Sequence, residues 1–296
     1  MNTLISAEDL ASLLETRDDI RVLDVRWALL GPSGRDEYAA GHLPGAVYVD
    51  LETELARPGV PEDGRHPLPA IDDLQAAARR WGIHDDDTVV VYDDLSLMSA
   101  ARAWWLLRHA GHRNVLLLDG ALAAWRRAGL PLVTGEQPDP PIGTVHLGYG
   151  SLGTIDADTA AAIARTGILL DARAGARYRG ETEPVDPRAG HIPGAVSAPT
   201  TDTLADDGRF LPADQLRAQF ESLGVRPMRP IGVYCGSGVT AAHEVVALTI
   251  AGFVPYLYPG SWSQWSNLPD RPVETGDGER GGRGGFSGFT GASVRL

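Results

Sequence analysis

Short apolar runs alternate with stretches of helical periodicity along the first half of the chain. Three apolar runs predict β-strands, at residues 20–25, 88–92 and 115–118. Apolar positions at helical spacing predict three helices, at residues 71–80, 99–110 and 122–128. Strands that are almost entirely apolar and lie between helices are typical of a parallel sheet covered on both faces. The pattern therefore predicts an α/β fold that binds ligands at the carboxyl ends of its strands.

The second half repeats the motifs of the first half in the same order, about 140 to 150 residues further on. R-V-L-D-V-R at 21–26 matches I-L-L-D-A-R at 168–173, and G-H-L-P-G-A at 41–46 matches G-H-I-P-G-A at 190–195. Further matches join residues 89–94 to 231–236, 110–112 to 251–253, and 118–125 to 258–265. Because the repeat has the length of a domain, we predict two tandem domains, at residues 1–133 and 151–274.

Two segments lack this alternation. Residues 134–150 are rich in proline and glycine and are predicted to form a linker between the domains. Residues 275–296 are rich in glycine and contain few aliphatic residues, which predicts a flexible tail. The R-G-G motifs of this tail would also fit a contact with RNA, but the acidity of the chain favours a solvated tail.

Composition narrows the class of protein. The 296-residue chain has a formal net charge of -13, which argues against binding to nucleic acid or to anionic membrane surfaces. No apolar run approaches a membrane span, and the N-terminus fits a helix start with Ser6 as N-cap better than a signal peptide. A single cysteine excludes an intramolecular disulfide and fits a reduced, cytoplasmic setting. Because no metal-ligand spacing or nucleotide motif is present, we expect neither a metal nor a cofactor.

The only cysteine stands at a junction typical of an active-site loop. An apolar run ends at Cys235, and Gly236, Ser237 and Gly238 separate it from a helical run. Backbone N–H groups converge at a helix N-terminus, so this turn favours a thiolate nucleophile. The two glycines let the backbone curl around the sulfur. The corresponding residue of the first domain is Asp93, which predicts that only the second domain carries the nucleophile.

Two other interpretations of Cys235 fit the sequence less well. A buried structural cysteine would not need a glycine on both sides of Ser237. A cysteine phosphatase would need an arginine closing the loop around the phosphate, and no arginine follows Cys235 in this loop. The tight loop suits one additional atom on the cysteine, such as a persulfide sulfur.

The duplicated D-x-R and G-H-[IL]-P-G-A motifs and C-G-S-G-V-T-A at 235–241 resemble those of two-domain rhodanese-type sulfurtransferases. The resemblance covers about residues 4–273. It implies two tandem rhodanese-like α/β/α domains, each with a mostly parallel central sheet, and an inactive N-terminal domain packed on a catalytic C-terminal domain. It also implies a cysteine persulfide intermediate.

The loop residues resemble the 3-mercaptopyruvate branch of this family. Thiosulfate-using members carry basic residues just after the cysteine, whereas this chain has Gly236 and Ser237. In the mercaptopyruvate branch, the serine matching Ser237 acts with a histidine and an acid from the N-terminal domain. The histidine corresponds to His66 in R-H-P-L-P, and the acid corresponds to Glu52, with Asp50 as the alternative.

The resemblance also implies groups that bind the donor. Arg177 matches the principal substrate arginine of the family, and a planar guanidinium suits the carboxylate of an α-keto acid. The family's second substrate arginine follows T-E-P, where Arg188 is the candidate in this chain. The loop amides that would stabilise the persulfide belong to the residues from the cysteine to the helix, Gly236, Ser237, Gly238, Val239 and Thr240.

Together these residues imply a ping-pong enzyme that moves sulfur from 3-mercaptopyruvate through a Cys235 persulfide to a thiol or cyanide. A thioredoxin-like protein or a low-molecular-weight thiol would be the acceptor. A thiosulfate:cyanide sulfurtransferase is the nearest alternative. A non-catalytic persulfide carrier and a redox sensor are alternatives from other classes of protein.

Overall fold

The computed structural model describes residues 3–28 and 31–278, which form two α/β domains, each built around its own parallel sheet. This arrangement confirms the predicted α/β fold class. The tail predicted at 275–296 lies, from residue 279 onward, outside the described residues. Within the described part of the chain, every helix is too short or too polar to cross a membrane.

The N-terminal domain contains five parallel strands in the order β1-β5-β4-β2-β3. The strands are β1 Leu4–Ile5, β2 Ile20–Asp24, β3 Ala46–Tyr48, β4 Thr88–Tyr92 and β5 Val115–Leu118. The helices are α1 Ala7–Thr16, α2 Gly34–Ala40, α3 Leu51–Glu54, α4 Ile71–Arg80, α5 Ala100–His109 and α6 Ala121–Arg127, with a 3-10 helix at Pro61–Asp63. Ser6 caps α1 by accepting a hydrogen bond from the Asp9 N–H, as predicted.

The C-terminal domain contains four parallel strands in the order β7-β6-β8-β9. The strands are β6 Ile168–Asp171, β7 Val196–Ser197, β8 Ile231–Tyr234 and β9 Tyr256–Leu257. The helices are α7 Ala157–Thr166, α8 Gly175–Tyr178, α9 Ala213–Ser222, α10 Thr240–Ile250 and α11 Ser261–Trp265, with a 3-10 helix at Thr200–Thr203. The central strands are fully buried on both faces, as the apolar runs predicted.

The histidines of the duplicated G-H-[LI]-P-G-A motif have the same structural role in both domains. His42 Nδ1 lies 2.8 Å from the Tyr38 carbonyl oxygen, and its ring stacks on that tyrosine. His191 repeats both contacts with Tyr178. Each histidine therefore joins its turn to the preceding helix, which explains why both copies contain one although only one contains a cysteine.

The duplicated D-x-R motif forms a buried ion pair at the end of the first long strand of each domain. Arg26 Nη2 lies 2.7 Å from Asp24 Oδ2, and Arg173 Nη2 lies 2.6 Å from Asp171 Oδ2. All four side chains are almost completely buried. Because each charge has its partner within the motif, these residues stabilise the strand ends instead of serving a ligand.

The two domains share one hydrophobic core where α5 of the first domain packs on α10 of the second. Trp104 and Trp105 belong to this core, so they have the packing role that is common for buried tryptophans. Residues 134–150 contain no helix or strand and lie against the N-terminal domain, where Val145 is buried and its N–H donates to the Ile83 carbonyl. The contact of α5 with α10 places the N-terminal domain next to the helix that follows Cys235.

Candidate active site

Cys235 lies at the carboxyl end of β8, immediately before the loop that leads into α10. Its side chain is 1% exposed, and its Sγ accepts a hydrogen bond of 3.2 Å from the Gly238 N–H. The sulfur therefore faces backbone donors at a helix N-terminus, as the sequence predicts. A buried sulfur of this kind can be reached only by a small donor or by a narrow part of a larger one.

Both glycines of the loop lie in close contact with neighbouring groups. Gly238 has a φ of +79°, and a Cβ at this position would lie 2.4 Å from the Pro259 carbonyl oxygen. A Cβ on Gly236 would lie 3.0 Å from Arg65 Nη2 and 3.4 Å from Arg177 Nη1. Gly236 therefore leaves room for two guanidinium groups immediately beside the cysteine.

The start of α11 holds the cysteine backbone. Ser261 has a φ of +53°, an unusual conformation for a residue with a side chain, and its Oγ accepts a hydrogen bond of 3.1 Å from the Cys235 N–H. The Trp262 N–H donates to the Cys235 carbonyl, and the Ser263 N–H donates to the Gly236 carbonyl. Sequence analysis did not identify Ser261. In the repeat Ser261 aligns with Ala121, so the sequence indicated the duplicated element to which Ser261 belongs.

The corresponding loop of the N-terminal domain encloses its own anion. Asp93 is completely buried and accepts hydrogen bonds from the backbone N–H groups of Leu95, Leu97, Ser99 and Ala100. Burial raises the pKa of this carboxyl, while the N–H donors act in the opposite direction. The duplicated fold thus forms the same donor-lined turn twice. The first copy fills it with Asp93, and the second places Cys235 there.

Ser237 and His66 form a hydrogen bond across the domain boundary. Ser237 Oγ lies 2.7 Å from His66 Nδ1, and both side chains are buried. Burial lowers the pKa of His66 to about 4, with further contributions from the nearby Arg102 and Arg65 guanidinium groups. His66 is therefore neutral at physiological pH and can accept a proton from the serine or from a bound donor.

The two predicted acid partners of His66, Glu52 and Asp50, form no hydrogen bond with it. Asp50 caps α3 by accepting from the Glu52 and Thr53 N–H groups. Glu52 is exposed and accepts a hydrogen bond of 3.1 Å from Trp27 Nε1, and the Trp27 ring packs edge-on against His66. Among residues 3–28 and 31–278, no carboxylate bonds directly to His66. Glu52 thus reaches His66 only through Trp27, and a catalytic role for Glu52 or Asp50 stays a prediction.

Arg177 extends from α8 towards the loop. Its Nη2 lies 2.6 Å from Glu183 Oε1 and 3.4 Å from Asp186 Oδ2. Both carboxylates are almost completely buried, so they fix the guanidinium firmly. Its Nη1 faces Gly236, which is the placement expected for a residue that binds a donor next to Cys235.

Arg188, the other predicted substrate arginine, forms its hydrogen bonds with the protein backbone. Its guanidinium donates four hydrogen bonds to backbone carbonyl oxygens that follow α11 or belong to its last turn, those of Trp265, Ser266, Leu268 and Arg271. These distances run from 2.7 to 2.8 Å. The contacts favour a structural role for Arg188, because few of its donors are left for a ligand. The spacing after T-E-P therefore pointed to an arginine that the fold uses for another purpose.

A buried arginine that sequence analysis missed joins the domains at the catalytic loop. Arg102 of α5 donates to the carbonyl oxygens of Leu55, His66 and Gly238. Burial lowers its pKa to about 10, while the nearby Tyr149 and Cys235 side chains act to raise it. Because this pKa lies above physiological pH, the guanidinium stays protonated. No described carboxylate forms an ion pair with it. This cation holds the segment carrying His66 against the loop carrying Cys235.

A second missed arginine, Arg65, precedes His66 in the chain and forms an ion pair with the buried Asp186 of the other domain. The R-H-P-L-P motif contains both residues, but only its histidine was assigned a role from the sequence.

Within the described ranges, no group of three or more His, Cys, Asp and Glu side chains is arranged to hold a metal ion. The expectation that no metal or cofactor is needed stays a prediction.

Comparison with known proteins agrees with the fold. The family described as Rhodanese-like domain matches residues 6–128 and again residues 156–268. The chain therefore belongs to the rhodanese family, with one such domain in each half. This confirms the prediction of a two-domain, rhodanese-type sulfurtransferase.

Individual relatives cover almost the whole chain. A probable 3-mercaptopyruvate sulfurtransferase from Pseudomonas aeruginosa is 50% identical over 93% of this chain and 98% of its own length. A putative thiosulfate sulfurtransferase, SseB from Mycobacterium tuberculosis, is 49% identical over 92% of this chain and 97% of its own length. The crystal structure of SseA, a 3-mercaptopyruvate sulfotransferase from Escherichia coli, superposes with a TM-score of 0.79 at 35% identity, covering 88% of this chain and 99% of SseA.

The structural role of Arg188 can be tested by substitution. Arg188→Gln should lower the free energy of unfolding by about 2 to 4 kcal/mol, because several buried carbonyl groups lose their donor. The kcat/KM for sulfur transfer should stay within about twofold of wild type. Chemical unfolding and steady-state kinetics measure the two effects. Arg179→Gln, which removes an exposed ion pair with Glu181, is the control. A normal stability with a large rise in KM would return Arg188 to the donor site.

The burial of His66 can be tested through the pH dependence of stability. The pKa of His66 falls from 6.5 to about 4 on folding, so the unfolded chain binds more protons between these values. The contribution of His66 to the free energy of unfolding is complete above pH 6.5 and is lost as the pH falls towards 4. As the pH is lowered from about 7 to about 4.5, the free energy of unfolding of His66→Gln should therefore rise by about 2 to 3 kcal/mol relative to that of wild type.

Urea unfolding at the two pH values measures this difference, with His84→Gln, on the surface of the N-terminal domain, as the control. If the difference in free energy of unfolding between His66→Gln and wild type is the same at both pH values, His66 titrates normally in the folded protein.

Proposed function

We propose that the protein transfers sulfur from 3-mercaptopyruvate through a persulfide on Cys235 to a thiol acceptor. The observation that carries this proposal is the convergence of three groups on one loop. Cys235 accepts from the loop backbone, Ser237 is bonded to a neutral His66, and the free edge of Arg177 faces Gly236. A small donor with an anionic end and a reactive sulfur fits this arrangement.

Binding begins with the carboxylate of the donor. A guanidinium presents parallel N–H donors that match a carboxylate, and Arg177 is already fixed by Glu183 and Asp186. A carboxylate held at Gly236 would place the remainder of a three-carbon donor over the loop. The sulfur of the donor would then lie within reach of Cys235, in the orientation needed for attack.

The sulfur-transfer step breaks the carbon–sulfur bond of the donor. The Cys235 thiolate attacks the donor sulfur and forms a sulfur–sulfur bond, while the electron pair of the broken bond passes to carbon as the enolate of pyruvate. The proton of the donor thiol moves to this carbon, so that pyruvate leaves and Cys235 carries an anionic persulfide. The backbone N–H of Gly238, which already bonds to the sulfur, stabilises that anion.

Ser237 and His66 supply the path for this proton. His66 is neutral and lies 2.7 Å from Ser237 Oγ, so the pair can take a proton from the donor thiol and return it to the enolate carbon. The low pKa of His66 favours rapid return of the proton, because the imidazolium is unstable in this buried position. Glu52 would act indirectly, by holding Trp27 against the imidazole ring.

In the second half-reaction, a thiolate attacks the outer sulfur of the persulfide. It takes that sulfur away and leaves the Cys235 thiolate, so charge and atoms balance without an added oxidant or reductant. Cyanide would act in the same way and give thiocyanate. Because Cys235 is almost completely buried, a low-molecular-weight thiol or the narrow active-site loop of a thioredoxin-like protein would be the acceptor. A cytoplasmic setting, predicted from the single cysteine, would supply such reduced thiols.

Thiosulfate is the alternative donor, and one structural observation favours it. The loop after Cys235 carries no charge, but Arg65 and Arg177 both lie beside Gly236 and would attract a dianion. The similarity to the putative thiosulfate sulfurtransferase of M. tuberculosis points the same way. The chemistry of Cys235 would be unchanged in that case, and thiosulfate would leave as sulfite.

Donor preference tests the proposal. We expect kcat/KM for sulfur transfer to cyanide to be at least about tenfold higher with 3-mercaptopyruvate than with thiosulfate, because a monocarboxylate donor can use the proton path through Ser237. Both donors are measured on one enzyme preparation at fixed cyanide, pH and ionic strength. Ser237→Ala should reduce the rate with 3-mercaptopyruvate more than the rate with thiosulfate. If wild type prefers thiosulfate, 3-mercaptopyruvate is not the donor and thiosulfate takes its place in the proposed function.

A further inference from the structure

We propose that Glu244 is a positioning residue, which as an uncharged acid begins a hydrogen-bonded chain through Thr200 and His243 to Ser96 of the N-terminal domain. This chain holds the N-terminal domain on α10, the helix that follows Cys235. The inference goes beyond the proposed function, because it concerns the docking of the domains and applies to either sulfur donor.

Glu244 and His243 are neighbours in the first half of α10, and both side chains are buried. Glu244 is 1% exposed, and His243 is completely buried. Both carboxyl oxygens of Glu244 and Nε2 of His243 lack a hydrogen bond of ordinary geometry within residues 3–28 and 31–278. Buried polar groups are rarely left in this state, and the sulfur-transfer step uses neither side chain. The pair therefore needs a role of its own.

Thr200 connects the two side chains. Its Oγ1 lies 2.7 Å from His243 Nδ1, and its side chain is also the hydrogen-bonding group that acts on the pKa of Glu244. The backbone of Ser96 acts on the pKa of His243, and because Nδ1 faces Thr200, this contact belongs to Nε2. The order of contacts is therefore Glu244, Thr200, His243 and Ser96, and it crosses from one domain to the other.

The chemistry of these groups gives the chain one direction. Burial lowers the pKa of His243 to about 3, so the ring is neutral and carries a single N–H. That proton must be on Nε2 for the ring to donate to the Ser96 carbonyl, and Nδ1 then accepts the Thr200 hydroxyl proton. The Thr200 oxygen is left to accept from Glu244, which can donate only as a protonated carboxyl group.

Ionisation of Glu244 reverses the chain. A carboxylate only accepts hydrogen bonds, so the Thr200 hydroxyl turns to Glu244, and His243 must carry its proton on Nδ1 to donate to Thr200. Nε2 then presents a lone pair to the Ser96 carbonyl, and the link between the domains is lost. The proton of Glu244 passes to solvent, and no other atom is exchanged.

The surroundings of α10 keep Glu244 protonated at neutral pH. Burial raises the pKa of Glu244 to about 8, Asp202 adds to this effect, and Thr200 acts in the opposite direction. Titratable side chains come from every element packed against α10: Arg102 and His109 from α5, Arg217 and Glu221 from α9, Asp202 from the 3-10 helix, Tyr234 from β8 and Tyr256 from β9. Asp202 is the one among them whose charge acts on Glu244.

The cluster lies at the boundary on which the catalytic loop depends. α10 begins immediately after that loop and packs on α5 of the N-terminal domain. The Phe210 ring stacks on His243 with centroids 4.5 Å apart, and the Phe210 N–H donates a hydrogen bond of 3.1 Å to Asp119 of the N-terminal domain. Loss of the Ser96 contact therefore loosens the same boundary that Arg102 spans.

The first test follows the pH dependence of stability. The unfolded chain binds fewer protons than the folded one between pH 4.5 and about 8, so wild type loses stability as the pH rises through this range. A glutamine donates to Thr200 at every pH, so Glu244→Gln imitates the protonated acid. Between about pH 5.5 and about pH 8.5, the unfolding equilibrium constant of wild type should rise roughly 100-fold relative to that of Glu244→Gln, measured by urea unfolding. Glu221→Gln, which removes a surface ion pair with Arg217, is the matched control and should follow wild type.

Activity tests the positioning role. As the pH is raised from about 7 to about 9, kcat/KM of wild type should fall at least about threefold relative to that of Glu244→Gln, and the loss should be regained on return to pH 7. The ratio of the two enzymes removes the titration of the donor and of Cys235, which both share. Either donor can be used, provided that wild type turns it over.

Infrared spectroscopy reports the proton itself. The difference between wild type and Glu244→Gln at about pH 6 should contain the C=O stretching band of one protonated carboxyl group, and this band should disappear at about pH 10. Asp93, the other buried acid of this boundary, is present in both proteins and cancels in the difference.

Three results would each overturn the proposal: absence of this band, the same pH dependence of stability in wild type and Glu244→Gln, or a kcat/KM ratio that does not change with pH. Should Glu244→Gln not fold, Glu244→Met, an uncharged side chain of similar size, takes its place in the infrared difference. A missing band then contradicts the proposal in the same way.

Discussion

The active site depends on one buried cation, Arg102, that links the two domains. Its guanidinium donates to the carbonyl oxygens of Leu55, His66 and Gly238, and it has no carboxylate partner among the described residues. A buried charge is tolerated only when its donors are satisfied, so these carbonyl groups must stay in place for the domains to remain docked. The same contacts bring His66 to Ser237 and leave a positive charge facing Cys235. The catalytic loop is therefore complete only when both halves of the chain are assembled.

The duplicated fold explains how such a site can arise in one half and not in the other. Both domains form a turn lined with backbone donors at the carboxyl end of a central strand. In the first domain the turn is occupied by the Asp93 carboxylate, and it cannot bind another anion. In the second domain Cys235 takes that position, with Gly236 and Gly238 keeping the space around the sulfur open. The first domain contributes instead the groups that surround the nucleophile, His66, Arg65 and Arg102.

Sequence predicted the parts of this arrangement that depend on local pattern. The strand bounds at 88–92 and 115–118 and the helix at 71–80 follow from apolar periodicity, and the structure has them. The pairing of Ser237 with His66 came from family resemblance, and the structure brings the two side chains within hydrogen-bond distance. The sequence marks the segments that carry Arg65 and Ser261, but the roles of these residues and of Arg102 come from contacts between distant segments and do not follow from local pattern. Arg188 shows the opposite case, in which a suitable residue at nearly the right spacing bonds to backbone carbonyl groups instead.

The most direct test of the central claim is a single turnover in the absence of an acceptor. Enzyme is mixed with one equivalent of 3-mercaptopyruvate, so that no free thiol remains to act as an acceptor; released pyruvate is quantified, and the modified residue is located by peptide mass spectrometry. We expect a rapid burst of pyruvate stoichiometric with the enzyme and a mass gain of one sulfur atom on the peptide that contains Cys235, both absent in Cys235→Ser. Continuous pyruvate release without sulfur on Cys235, or a burst that persists in Cys235→Ser, would contradict the account.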